Sequence, residues 1–191
     1  MAGKKSTSRE TDRRVIFTIG HSTRSIAEFL DLLKKHEIQL LVDVRRFPAS
    51  RRYPHFNGPA LAESLSAAGI RYRHMPALGG RRPSKPDSVN VGWRNAGFRG
   101  YADYMQTKEF PEALEELMRY AETERTAIMC AEAVPWRCHR NLISDALVVK
   151  GRQVSHITSA SKVDHHRLTS FAQVSEQGLL YPADTGQSSL F

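Results

Sequence analysis

Side chains that can carry protons or bind anions follow four predicted strands of this chain. The first apolar run leads into Gly20-His21-Ser22-Thr23, and the second ends at Asp43 with Arg45 close behind. His74 lies at the end of the third run, and the fourth leads into Cys130-Ala131-Glu132. In parallel sheets, ligands bind beyond the carboxyl ends of the strands. These groups are therefore expected to form one site.

Two carboxylates and a histidine are the predicted catalytic residues. Glu132 follows a buried strand in a loop with few solvating polar neighbours, and Asp43 closes another buried strand. Carboxylates in different environments can divide the roles of general acid and general base, and His21 is expected to assist. The structural alternatives are a salt bridge from Glu132 to Arg137 or Arg140, an Asp43–Arg45 pair, and a plain loop position for His21.

An anionic substrate is expected to contact the loops around these residues. Arg140 is predicted near the start of a helix, where the helix dipole already favours an anion. Arg99 and Tyr101 are predicted near the start of another helix, where a tyrosine can stack on a base or a sugar. Core packing of Tyr101 and helix capping by Ser22 are the alternatives. The predicted substrate-binding residues are Ser22, Arg45, Arg99, Tyr101, Cys130, His139 and Arg140.

The two cysteines leave two chemistries open. Cys130 could be a thiolate nucleophile next to arginines, although the spacing to Arg137 is one residue longer than in cysteine-dependent phosphatases, which favours a buried, inert thiol. Cys130, Cys138 and His139, together with His165 or His166, could bind zinc or another divalent metal. A short Cys-x-x-Cys pair is missing, so we predict no cofactor and assign no metal ligand.

Composition indicates a globular chain with an anionic partner. The 191 residues carry a formal charge of +8, with arginines concentrated in residues 45–52, 71–82 and 94–99. Arginine suits phosphate and carboxylate groups, although a basic, solvated surface explains the charge equally well. No apolar run reaches the length of a membrane span, and residues 1–14 do not resemble a secretory signal. Two cysteines make no disulfide framework, so a cytoplasmic protein is expected.

Alternating apolar strands and amphipathic helices predict an α/β fold. We expect a single-domain, three-layer sandwich with a mostly parallel sheet of about five strands over residues 15–159. A flexible basic tail at 1–14 and a polar, partly mobile tail at 160–191 flank it. The predicted strands are Val15–Ile19, Gln39–Val44, Ile70–Met75, Thr126–Cys130 and Gln153–Ile157. The predicted helices are Ser25–His36, Asn57–Ala68, Gly100–Met105, Phe110–Thr123 and Arg137–Lys150.

Four motifs in this order resemble the DUF488 family. They are Thr18–Ser22, Asp43-Val44-Arg45 with Pro48, Phe98–Ala102, and Cys130-Ala131-Glu132 with Cys138-His139-Arg140. The resemblance covers roughly Val15 to Thr158. It implies an α/β domain with a shared motif set, and it implies no activity, because the name denotes a domain of unknown function.

The leading hypothesis is an enzyme that acts on a phosphate-bearing substrate, either a nucleotide or a nucleic acid, by acid/base hydrolysis at the carboxyl edge of the sheet. The first alternative is a nucleic-acid-binding module without catalysis, which needs only the basic loops and the aromatic residues. The second alternative is sulfur or phosphoryl transfer that depends on Cys130. The sequence leaves the substrate and the oligomeric state open.

Overall fold

A computed structural model describes residues 15–175 and 178–183 of the chain. The tail expected at residues 1–14 and the end of the C-terminal tail lie outside the described residues. Within the described part, none of the helices has the length and apolar character needed to cross a membrane.

Six strands form the main sheet, and the first five of them are parallel. They are β1 (Val15–Gly20), β2 (Leu40–Asp43), β3 (Arg71–His74), β4 (Thr126–Cys130), β5 (Gln153–Ile157) and the antiparallel β6 (Val163–His165). Their order in the sheet is β3-β2-β4-β1-β5-β6. The hairpin of β7 (Gln173–Ser175) and β8 (Gly178–Leu180) is separate from this sheet. The predicted parallel sheet is confirmed, and β6 to β8 are elements that the sequence did not predict.

Five α-helices connect the strands. They are α1 (Ile26–Lys35), α2 (Gly58–Ala67), α3 (Ala96–Met105), α4 (Glu109–Thr123) and α5 (Arg140–Val149). The capping box at the start of α1 forms as predicted, because the Ser25 hydroxyl accepts from the Glu28 N–H and the Glu28 carboxylate accepts from the Ser25 N–H. This reciprocal pair satisfies two donors that a helix start leaves free.

Two apolar clusters, one on each face of the sheet, establish the three layers. Phe29 of α1 and Leu61 of α2 pack with Phe17 and Met129 on one face. The other face carries helices α3, α4 and α5, and its cluster includes Ile16, Leu40, Val42, Ile128, Tyr101, Leu117 and Leu142. Neighbouring residues of one strand point to opposite faces, so β1, β2, β4 and β5 each supply both clusters.

The start of α5 differs from the prediction and changes the site. A 3-10 turn at Pro135–Arg137 follows β4, and Cys138 then takes an extended conformation (φ −137°, ψ 146°). The helix therefore begins at Arg140, three residues later than predicted. Cys138 and His139 precede the helix, where their side chains can turn toward the end of β4.

Candidate functional site

Two thiols and an imidazole meet at the carboxyl edge of the sheet. Cys130 ends β4, and the turn after it returns Cys138 and His139 to the same place. Nδ1 of His139 lies 3.7 Å from Sγ of Cys138 and 3.9 Å from Sγ of Cys130. The three donor atoms lie within 4.8 Å of one another. We call this group the Cys–Cys–His cluster.

The orientation of His139 is fixed by a backbone carbonyl. Nε2 of His139 lies 3.0 Å from the carbonyl oxygen of Val44, directly after β2. A carbonyl only accepts, so Nε2 carries the hydrogen and Nδ1 of the neutral ring keeps its lone pair. Gly80 packs against this side of the ring, and a Cβ at Gly80 would lie 2.9 Å from Nδ1. The glycine therefore leaves the space that Nδ1 needs.

The two thiols influence each other's ionisation. The hydrogen bond with Cys138 and the burial of the side chain raise the pKa of Cys130 well above its ordinary value. Burial opposes ionisation of Cys138 as well, but hydrogen bonding with Cys130 and His139 holds its pKa well below its ordinary value. The contact between the two thiols therefore favours ionisation of Cys138 over ionisation of Cys130.

Asp43 and Arg45 form a buried ion pair beside the cluster. Nε and Nη2 of Arg45 donate to both carboxylate oxygens, with Nη2 2.6 Å from Oδ2. The hydroxyl of Tyr72 donates to the same carboxylate, and Arg45 also donates to the carbonyl of Phe56. Burial opposes the charge of Arg45, but the carboxylate outweighs it and raises the Arg45 pKa. Asp43 thus forms the structural pair with Arg45 that was one of the alternatives, and both of its carboxylate oxygens accept hydrogen bonds.

His21 lies within this group and is buried. Its ring stacks on Phe56 with the centroids 4.2 Å apart, and its Nε2 lies 3.5 Å from Nη1 of Arg45. Burial lowers the pKa of His21 to about 4, and the charge of Arg45 contributes. Its backbone N–H donates to the carbonyl of Cys130. The backbone of His21 therefore connects the end of β1 to Cys130, while its buried ring packs between Phe56 and Arg45.

The Gly20-His21-Ser22-Thr23 segment after β1 contains Ser22, one of the predicted substrate-binding residues. The N–H of Ser22 donates to the carbonyl of Ala131, at 2.8 Å. A Cβ on Gly20 would lie 1.8 Å from the carbonyl oxygen of Glu132, so only glycine allows this approach of the two chains. The segment fastens β1 to the loop after β4.

The remaining predicted residues are distributed around the site. The side chain of Glu132 is exposed on the loop after Cys130. Tyr101 is fully buried, and its hydroxyl donates to the carbonyl of Leu78. Arg99 of α3 is half-buried and donates to the carbonyls of Trp93 and Arg94, in the loop before its helix. Arg99 and Tyr101 therefore hold the long loop before α3 in place.

Arg140 lies on a second buried polar network. Its Nη1 donates to the hydroxyl of Thr18, whose oxygen lies 2.8 Å from Nδ1 of His156. Nε2 of His156 then meets Nδ1 of His166 at 3.0 Å, and Nε2 of His166 meets the Asp145 carboxylate at 2.8 Å. Burial and the neighbouring His166 lower the pKa of His156 to about 4. Five side chains thus form one continuous chain of hydrogen bonds.

Sequence reasoning missed this network for a topological reason. Thr18 and His156 are neighbours in the register of β1 and β5, and the strand order is not readable from the sequence. The proposal that His165 or His166 would complete a zinc site is wrong for this arrangement. His166 binds Asp145 and His156, and His165 binds Ser155. The sequence feature that could have pointed to this network is the number of histidines after residue 155.

Comparisons with known proteins identify a family but no characterised relative. No curated protein and no solved structure matches the chain. A family model described as a domain of unknown function, DUF488, matches residues 25–147. The matched range includes the ion pair of Asp43 and Arg45 and the whole Cys–Cys–His cluster. The chain belongs to the DUF488 family.

Proposed function

We propose that this chain is a metal-dependent hydrolase, in which the Cys–Cys–His cluster holds a divalent cation such as Zn²⁺ and the substrate bears a phosphate. The observation that carries the proposal is the spacing of the donors. In a tetrahedral zinc site with ordinary bond lengths, a sulfur and a nitrogen ligand lie roughly 3.6 Å apart. The corresponding distances in the cluster are 3.7 and 3.9 Å.

The chemistry and surroundings of the donors also fit zinc. Two thiols and an imidazole are ligands that zinc prefers, and the Val44 carbonyl is the kind of partner that orients a ligating histidine. Three protein donors are the number that catalytic zinc sites use. A zinc ion held by these residues would supply Lewis acidity and could activate a water as nucleophile.

The chain's own residues are assigned roles by their accessibility. Glu132 is exposed two residues beyond Cys130, so we assign the general acid/base role to Glu132. Asp43 is fully buried and engaged by Arg45, so we assign it the role of positioning the loop that carries Val44. Arg46 is exposed next to this loop and suits the phosphate of a substrate.

Metal binding tests this proposal without a known substrate. The purified chain is stripped with a chelator and titrated with Co²⁺ and Zn²⁺. We expect one ion per chain and the visible absorption of tetrahedral, thiolate-ligated Co²⁺. Cys138→Ser and His139→Gln should each abolish that absorption. Absence of metal binding by the wild-type chain, or unchanged binding by both variants, would overturn the proposal.

A glycine variant provides a test that removes no donor atom. Gly80→Ala places a methyl group 2.9 Å from Nδ1 of His139 and must displace the ring or the loop. We expect a loss of metal affinity on the order of 10- to 100-fold, as for other groups that support a ligand. Gly58→Ala is the matched control, because a Cβ there meets its nearest neighbour at 3.4 Å. Equal metal affinity of the two alanine variants would contradict the ligand role of His139.

Thiol chemistry is the second candidate function, and the contact between Nδ1 of His139 and Sγ of Cys138 favours it. An imidazole at this position can take the proton of a thiol and activate it as a nucleophile. The two candidates differ in their response to chelation. A turnover that survives removal of metal but is lost on alkylation or in Cys138→Ala would select thiol chemistry. A turnover lost on chelation and restored by Zn²⁺ would select the hydrolase.

A further inference from the structure

The three loops that surround the Cys–Cys–His cluster are strongly basic. They comprise residues 44–56 after β2, 79–86 after β3 and 131–140 after β4. Together they contain nine lysines and arginines, of which all except the buried Arg45 and Arg140 remain for a surface, and one acidic residue. The loops at the opposite edge, residues 34–39, 122–125 and 150–152, contain five basic and three acidic residues. The excess positive charge therefore lies at the carboxyl edge of the sheet.

The same loops carry exposed aromatic side chains. Among the described residues, Phe47 and Trp136 are the two phenylalanine, tyrosine or tryptophan side chains that are exposed, at 62% and 67%. Phe47 follows β2 and Trp136 follows β4, which are neighbouring strands. Trp136 also lines a small cavity with His156 and Asp164, on the β5 side of β4, so the two rings lie along the edge of the sheet on either side of β4. Trp136 lies two residues before Cys138, and Phe47 lies three residues after Val44, the partner of His139. Both aromatic side chains thus belong to loops that hold the cluster.

An exposed arginine contacts the Phe47 ring, and the exposed Arg137 follows Trp136 in the sequence. The guanidinium of Arg46 lies 5.6 Å from the centroid of the Phe47 ring, and its Nη1 donates to the carbonyl of Arg81 on the neighbouring loop. We call this surface the aromatic–arginine edge. It consists of Arg46, Phe47, Arg51, Arg52, Trp136 and Arg137, all of which are exposed.

We propose that the aromatic–arginine edge binds single-stranded nucleic acid and presents its backbone to the Cys–Cys–His cluster. As a statement about the substrate class, this inference rests on the proposed function. Proteins that bind single strands combine basic side chains along the backbone with aromatic side chains on which bases stack. The bases of a duplex are already stacked and paired, so Phe47 and Trp136 favour a single strand over a duplex.

Fluorescence anisotropy with a labelled oligothymidylate of about 16 nucleotides tests the proposal. We expect the wild-type chain to bind this strand at least about 10-fold more tightly than its duplex with oligoadenylate. Phe47→Ala and Trp136→Ala should each weaken binding on the order of 10-fold. Both side chains are exposed, so these variants should fold normally. Val174→Ala, at another exposed apolar position, is the control.

The salt dependence of the affinity tests the arginines separately. Each phosphate neutralised on a single strand contributes about −0.7 to the slope of log affinity against log salt. The double variant Arg51→Ala/Arg52→Ala should therefore reduce the slope by about 1.4. Arg119→Ala, an exposed arginine on α4, should leave it unchanged. Wild-type affinity in both aromatic variants, or equal affinity for strand and duplex, would overturn the proposal.

Two measurements on the wild-type chain, metal binding and oligonucleotide binding, separate the two proposals. If the wild type binds the strand but no metal, the proposed hydrolase fails and the binding surface stands. If it binds metal but no strand, the binding surface fails and the metal site stands.

Discussion

Arg45 makes hydrogen bonds to several of the segments that form the carboxyl edge of the sheet. Its guanidinium holds Asp43 and the carbonyl of Phe56, and its own backbone carbonyl lies 2.8 Å from Nε2 of His74. The loop that Arg45 anchors contains Val44, which orients His139. The arginine therefore stabilises the site without being one of the cluster's donor atoms.

Replacement of Arg45 should be strongly destabilising. Arg45→Met keeps most of the volume but leaves the Asp43 carboxylate buried without its cation. Breaking a buried pair in this way costs about 3–5 kcal/mol. Urea unfolding should show the loss as a lower midpoint.

An exposed pair provides the control for Arg45. Arg71 pairs with Glu124 at 2.7 Å, and its side chain is 68% exposed. Arg71→Met should cost at most about 1 kcal/mol, because water screens such pairs. Similar losses in Arg45→Met and Arg71→Met would contradict the structural importance assigned to the buried pair.

At the level of elements, the apolar periodicity predicted the strands and helices, and the strand ends predicted which residues share an edge of the sheet. Five strands and the helices between them follow from apolar patterns, and the rule for parallel sheets correctly brought His21, Asp43 and Cys130 to one edge. Non-local facts were not predictable. The contact of Gly80 with His139 and the pairing of Thr18 with His156 depend on loop paths and strand order. Strands β6 to β8 are three residues long and carry no clear pattern.

Asp145 connects α5 to the C-terminal elements that the sequence did not predict. Its carboxylate accepts from the N–H and hydroxyl of Thr169, from the hydroxyl of Tyr181 and from His166, all at 2.7–2.9 Å. The side chain is fully buried. One carboxylate thus fastens β6 and the residue after β8 to the same helix.

Asp145→Asn should release these elements. Only the oxygen of the asparagine amide accepts hydrogen bonds, because its NH2 group donates. At least one buried donor therefore loses its partner, at a cost of about 1–3 kcal/mol or more. Hydrogen exchange should become faster in residues 163–175 and 178–181 and remain unchanged in α1. Asp31→Asn, which breaks an exposed pair with Lys35, is the control. Unchanged exchange in the C-terminal elements would contradict the anchoring role.

Across the whole molecule, two buried histidines couple stability to pH. His21 and His156 have pKa values of about 4 in the folded state, against about 6.5 in an unfolded chain. Between these values the unfolded chain binds more protons than the folded chain, so the free energy of unfolding rises with pH. Their contribution is complete above the unfolded pKa and is lost as the pH falls toward 4. As the pH falls from about 6.5 to about 4, each histidine can lower the free energy of unfolding by up to about 3 kcal/mol.

Unfolding by urea at a series of pH values measures this coupling. The free energy of unfolding should fall steeply as the pH decreases from about 6.5 to about 4, and His21→Gln should reduce that slope by about one proton at most. Above about pH 7.5 both histidines are neutral in both states, so the difference between variant and wild type should be constant there and serves as the internal control. The slope should be reduced because glutamine has no proton to gain on unfolding. An unchanged slope in His21→Gln would show that the His21 ring is not buried in its neutral form between Phe56 and Arg45.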